Sequence, residues 1–154
     1  MNYLRGYKIT IKVMKKTIII SLLALFCGAF AMAQTSKEPF KGTFLNKEYQ
    51  VYLTINFQDQ NVKVPRQEIL GELPGFFGDQ KDSRKWLITG AEVKENTAYL
   101  EIVNDYGSED LEAELTLEKD GTYTLEQKKG STIKIARNRK WVKIPKKLTF
   151  TPWK

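Results

Sequence analysis

The chain has 154 residues, with 25 Lys and Arg against 18 Asp and Glu, one Cys and no His, for a formal charge of +7. Without His, and with a lone Cys, it can assemble neither Ser-His-Asp nor Cys-His catalysis, and it lacks the usual zinc and copper ligand sets. No phosphate-cradling glycine loop of the Walker or dinucleotide type is present either, which leaves carboxylate, Lys, Tyr and Ser chemistry.

The first segment reads as an address. Arg5, Lys8, Lys12, Lys15 and Lys16 precede any acid, Thr17 to Phe30 is almost wholly apolar, and Ala31-Met32-Ala33 supplies small residues where a signal peptidase cuts. Residues 1–33 are therefore expected to be a secretory signal peptide, with Met1 or Met14 as the start. The alternative is an uncleaved anchor, but the apolar run falls short of the about 20 residues a spanning helix needs. Cys27 follows Ala24-Leu25-Phe26 rather than the small residues of a lipoprotein site. Cleavage leaves 121 of the 154 residues, with 20 basic residues against 18 acids, a balance of +2. The headline charge thus belongs mostly to targeting, and nucleic acid is not an expected partner. The only Cys leaves with the signal, so the exported chain is expected to be free of disulfides, in the periplasm or outside the cell, with no membrane span.

Residues 34–39 form a flexible polar lead-in, and 40–154 read as a single β domain. Phe40 to Leu45 is a first strand. Glu48 to Phe57 is the longest, with Tyr49, Val51, Leu53, Ile55 and Phe57 alternating with polar neighbours. A turn at Asp59-Gln60 returns the chain through Val62 and Val64. Pro65 to Lys85 keeps no period and reads as a long loop around Leu73-Pro74-Gly75-Phe76-Phe77-Gly78. Trp86 to Val93 and Thr97 to Val103 form a hairpin across a three-residue loop, Lys94-Glu95-Asn96, followed by the polar loop Asn104 to Asp110.

Leu111 to Ala136 carries the firmest signal. Leu111, Ala113, Leu115 and Leu117 alternate with polar residues, Tyr123 and Leu125 continue the dry face, and Ile133 and Ile135 follow. Residues opposed in an antiparallel pair share a face. Leu117 should therefore oppose Tyr123, and Leu115 should oppose Leu125, leaving Lys119-Asp120-Gly121 as the loop. The same argument pairs Leu125 with Ile133 across Lys128-Lys129-Gly130, again with Gly at the left-handed site. Lys140 to Ile144 and Leu148 to Phe150 are the last strands. The fold expected is all-β: a small antiparallel meander barrel of about eight to ten short strands, with a sandwich as the alternative.

Three places can carry function. Phe76 and Phe77, with Trp86 and Tyr106, are candidate ligand-binding residues, the two phenylalanines forming a lid over a barrel mouth or else capping the core. Arg139, Lys140, Lys143, Lys146 and Lys147, with Trp141 and Trp153 nearby, suit an anionic glycan, lipid headgroup or protein, or else form a solvated face balanced by acids elsewhere. Asp105, Glu109 and Asp110 offer oxygen ligands for calcium but read equally as a solvated turn. No pair of acids stands out for a hydrolase.

The Gly42-Thr43-Phe44 strand followed by a meander resembles the small exported lipocalin-like β-barrel domains of uncharacterised function from bacterial envelopes. In that group a Gly-x-Trp opens the barrel and apolar ligands can sit inside. Here Phe44 stands in place of the Trp and no closing helix is visible. The first reading is therefore a non-enzymatic binding module that holds a small apolar or amphiphilic ligand in or at the mouth of the barrel, with no cofactor expected. The alternative is an envelope interaction protein working through the basic C-terminal face.

Overall fold

Alternating apolar and polar residues commit most of this chain to strands with one dry face, and a sheet of that kind must close or be covered. In the computed structural model, which describes residues 38–154, it closes. The signal-peptide reading and most of the lead-in lie outside the described residues. In chain order the strands are β1 (Lys41–Asn46), β2 (Val51–Asn56), β3 (Val62–Lys63), β4 (Glu72–Leu73), β5 (Gly75–Asp79), β6 (Lys85–Lys94), β7 (Thr97–Asn104), β8 (Asp110–Leu117), β9 (Tyr123–Gly130), β10 (Lys134–Arg137), β11 (Lys140–Lys143) and β12 (Lys147–Pro152). Eight of them form a closed antiparallel barrel in the order β1-β12-β9-β8-β7-β6-β5-β2. The barrel reading holds and the sandwich alternative does not.

The β8–β9 hairpin forms in the expected register, Leu115 opposite Leu125 and Leu117 opposite Tyr123. Glu118 and Thr122 close it, and Gly121 takes the left-handed conformation, φ 81°. The next expected hairpin does not form. β9 runs on to Gly130 along β8, with a bulge between Glu112 and Ala113, and Leu125 pairs on its other side with Leu148 of β12. Ile133 and Ile135 are buried, but they belong to a separate β10–β11 hairpin inserted between two barrel strands. Face alternation says which side a residue points to, and here the strand that closes the barrel took the adjacent place.

The β6–β7 loop is also one residue shorter than expected. Lys94 pairs with Thr97, and the left-handed residue is Glu95 (φ 54°). A bulge between Ile88 and Gly90 absorbs the difference.

Pro65 to Lys85 is not a structureless loop. It holds a 3-10 turn at Glu68–Leu70, β4, and the barrel strand β5. Phe77 points into the barrel, whereas Phe76 points outward into a second cluster with Val64 and Leu87. The arm carrying β3 and β4 covers that outer patch with Val62 and Leu73. Both faces of β5 are therefore dry, which is why no alternation survives there.

The barrel interior is filled. Phe44, Val51, Leu53, Ile55, Phe77, Trp86, Ile88, Leu100, Ile102, Leu115, Leu125 and Phe150 are buried in one cluster. One end is plugged by Phe40 and Phe57, stacked 5.8 Å apart, with the Tyr123 ring 5.4 Å from Phe40. At the other end the chain ends of β1, β5, β7 and β9 meet the starts of β2, β6, β8 and β12, and the β10–β11 hairpin lies there.

Candidate functional site

The hairpin is held across the barrel end by bonds from both of its strands' flanks. At its base, Gln127 Nε2 donates to Pro145 O (2.9 Å), and Gln127 Oε1 accepts Ile133 N–H (2.7 Å). Ile133 and Ile144 are both buried in the core cluster. Further out, Trp86 Nε1 donates to Lys134 O (3.2 Å). The Arg137 guanidinium grips Asp79 at 2.5 and 3.0 Å and also donates to Tyr49 O at 2.7 Å. Lys134 reaches Glu109 at 2.5 Å.

Between this hairpin and the barrel lies a cavity of about 190 Å3. Its apolar floor is Phe77, Trp86 and Ile135; its rim comes from the loops after β5 and β7 and from β10 and β11. The β5–β6 loop brings Asp82 and Arg84, which form a two-pronged pair at 2.6 and 2.7 Å. The Arg84 guanidinium lies 4.3 Å over the Trp141 ring, so it bridges the loop and the hairpin across the cavity. The β7–β8 loop is organised by Asn104, whose Oδ1 accepts Ser108 N–H at 2.9 Å and whose Nδ2 donates to Ser108 Oγ at 3.0 Å. Asp105 Oδ2 accepts Lys85 N–H at 3.0 Å, which pins that loop to the start of β6.

Three of the four acids on the rim are ion-paired, and Asp105 accepts the Lys85 backbone N–H instead. Asp79, Asp82 and Glu109 each face a cation, Arg137, Arg84 and Lys134 respectively. Arg84 beside Asp82 holds its carboxyl down at about 2. Lys85 is 7 % exposed and its ammonium donates to Ser83 O at 3.0 Å; burial pulls its pKa below the usual lysine value, against the pull of Asp105. Such an arrangement fixes the walls of a pocket. Among the described residues no group of acids is placed to hold a metal ion, and Glu109 spends its charge on Lys134.

Of the sequence-stated candidates, Phe77, Trp86 and Tyr106 line the cavity, Phe77 and Trp86 in the floor and Tyr106 on the rim, 71 % exposed. Phe76 does not; it lies on the outer face of β5, its ring 5.9 Å from Tyr52. The two phenylalanines are barrel wall rather than a lid. Arg139, Lys140, Lys143, Lys146 and Lys147 are all exposed, and among the described residues none of them is in an ion pair. The acids of β8 and β9 are met instead by Lys128, at Glu114 and Glu126, and by Lys129, at Glu112.

Sequence reasoning missed Asp79, Asp82, Arg84 and Lys134, read Ile135 only as a dry-face strand residue, and placed Arg137 only in the basic tail. The Asp82-Ser83-Arg84 spacing is a local signal for one ion pair, but nothing local links Asp79 to Arg137. No helix among the described residues is long and apolar enough to cross a membrane. No protein-family model, no curated protein and no solved structure matches the chain.

Proposed function

We propose that the chain is an exported, non-enzymatic binding module that holds part of a small amphiphilic molecule at the barrel mouth, beneath the β10–β11 hairpin. One observation carries this reading: a cavity of about 190 Å3 with an apolar floor and a charged rim, three of whose four acids are ion-paired. Sites for drug-sized ligands run to about 300–1,000 Å3. This one suits a ring or short chain, with the polar remainder of the ligand passing Tyr106 and Trp141 into solvent. The filled interior leaves a long acyl chain no room inside the barrel. The eight-stranded closed barrel is compatible with the lipocalin-like kinship that Gly42-Thr43-Phe44 suggests. The N-terminal segment supports delivery to the periplasm or the exterior.

Native mass spectrometry of the protein taken from its own compartment tests this. The expected result is a mass excess that vanishes on denaturation and is lost in Ala136→Trp, which places an indole in the cavity wall. A bare mass from the native source, or an excess that Ala136→Trp leaves untouched, would defeat the reading.

A further inference from the structure

The β10–β11 hairpin is a two-stranded sheet, so each strand has one outer edge. Ile144 N–H donates to Ile133 O at 3.1 Å, which sets the phase of the ladder. Ile135–Val142 and Arg137–Lys140 are then the pairs that exchange hydrogen bonds, and Lys134–Lys143 and Ala136–Trp141 turn their peptide groups outward. On β10 the outward carbonyls are already taken. Lys134 O accepts Trp86 Nε1 at 3.2 Å, and Ala136 O accepts the Arg137 guanidinium at 2.7 Å. On β11 the outward N–H and C=O of Trp141 and Lys143 have no hydrogen-bonding partner among the described residues, and all four residues of the strand are exposed.

We propose that β11 is a docking edge, and that an extended acidic segment of a partner protein adds to it as a third strand of the hairpin. The bare peptide groups of Trp141 and Lys143 supply the main-chain bonds. Arg139, Lys140, Lys143, Lys146 and Lys147 supply the charge preference, because they are exposed and none is in an ion pair among the described residues. Val142, half-exposed between them, offers an apolar contact for one side chain of the incoming strand. A second copy of this chain is a poor occupant, since pairing β11 with itself crowds the same five cations together. Lysines on an open edge guard against self-pairing in this way and leave an acidic strand welcome. The edge is independent of the cavity reading, and the test below avoids the cavity-lining Trp141.

The test titrates the purified protein onto a fluorescein-labelled peptide of alternating Glu and Val, read by anisotropy at low salt. Binding is expected. Lys143→Pro removes an outward N–H at an edge position where proline spares the β10 ladder, and it should weaken binding by about tenfold or more. Lys143→Ala removes the charge alone and should cost only about threefold. A peptide N-methylated at every second residue should not bind measurably to the unaltered protein. No binding of the parent peptide, equal affinity for the methylated peptide, or equal losses in the two Lys143 variants would each overturn the proposal. Equal losses, with a sulfated polysaccharide competing as well as the peptide, would make the face a polyanion surface instead. If Lys143→Pro fails to fold, as seen by circular dichroism, the methylated peptide decides the matter by itself.

Discussion

Arg137 and Asp79 stand 58 residues apart in sequence, yet the guanidinium of one closes on the carboxylate of the other through two hydrogen bonds. The Asp79 side chain is only 5 % exposed. Burying a carboxylate is costly unless its partner is present, so the pair fastens the hairpin to the barrel more by what its breakage costs than by its net worth. Arg137→Met keeps the aliphatic stem and strands the buried carboxylate. It should destabilise the fold by about 3 kcal/mol. The double variant Arg137→Met with Asp79→Leu should recover part of that loss. Urea unfolding midpoints of the two variants check this, and equal losses would mean that the stranded carboxylate is not what destabilises Arg137→Met.

At the far end of the barrel one side-chain hydroxyl joins the aromatic plug to the backbone. Tyr123 Oη accepts the N–H of Phe40 at 2.9 Å, 83 residues away, in a buried setting. Tyr123→Phe retains the ring against Phe40 and Phe44 but leaves that N–H without a partner. A loss of about 1–2 kcal/mol is expected. Tyr123→Ala removes the ring as well and should cost about 3–5 kcal/mol. Thermal melts of the two variants should separate clearly; if they coincide, the ring is not packed as described.

Two glycines of β5 should respond differently to alanine. A Cβ at Gly75 would fall 2.4 Å from Thr54 O, a backbone atom of the paired strand. A Cβ at Gly78 would fall 2.4 Å from the Tyr52 ring, which a rotation can carry outward toward Trp153 and solvent. Gly75→Ala is therefore expected to cost about 3 kcal/mol or more, through a forced shift of β2 against β5, and Gly78→Ala markedly less. Equal costs, measured by chemical unfolding, would contradict the close approach at Gly75.

The Asp82–Arg84 pair gives the fold an acid-sensitive limb. With Arg84 beside it, the Asp82 carboxyl titrates at about 2 in the folded protein instead of 3.8. The folded value is depressed, so the stability it contributes is full above the ordinary carboxylate pKa and is lost as pH falls toward about 2. Arg84→Gln removes that contribution. Between pH about 4 and about 2 the unaltered protein should lose about 1 kcal/mol more than the variant, a figure discounted because the pair is partly solvated. Parallel stability curves over that window would show that the pair carries no net stabilisation.

Where one face of a strand is wet, the sequence could be read directly. Leu115, Leu117, Tyr123 and Leu125 alternate with polar residues, and Gly121 sits where the turn needs a left-handed residue, so the β8–β9 register followed. Phe76 and Phe77 defeated the same logic because the β3–β4 arm dries the outer face of β5 and both rings are buried. Lys128-Lys129-Gly130 looked like a second turn, and Gly130 is indeed left-handed at φ 90°, but it serves a close approach to Asp110 O rather than a hairpin. In the candidate site Trp86 and Tyr106 were legible as aromatics beside a change of pattern. The pairs Asp79–Arg137 and Glu109–Lys134 were not, since their members lie on separate elements.

By itself the sequence determined the class of fold and the chemistry it forgoes. Strand alternation and turn glycines act between near neighbours, and the lack of His is a matter of composition. Only the tertiary structure decided which strands stand side by side, that the interior is filled, and that β10 and β11 leave the barrel to close over a cavity at its end. Those choices depend on contacts between residues many tens of positions apart. Their energies come from packing and from ion pairs that no local pattern encodes.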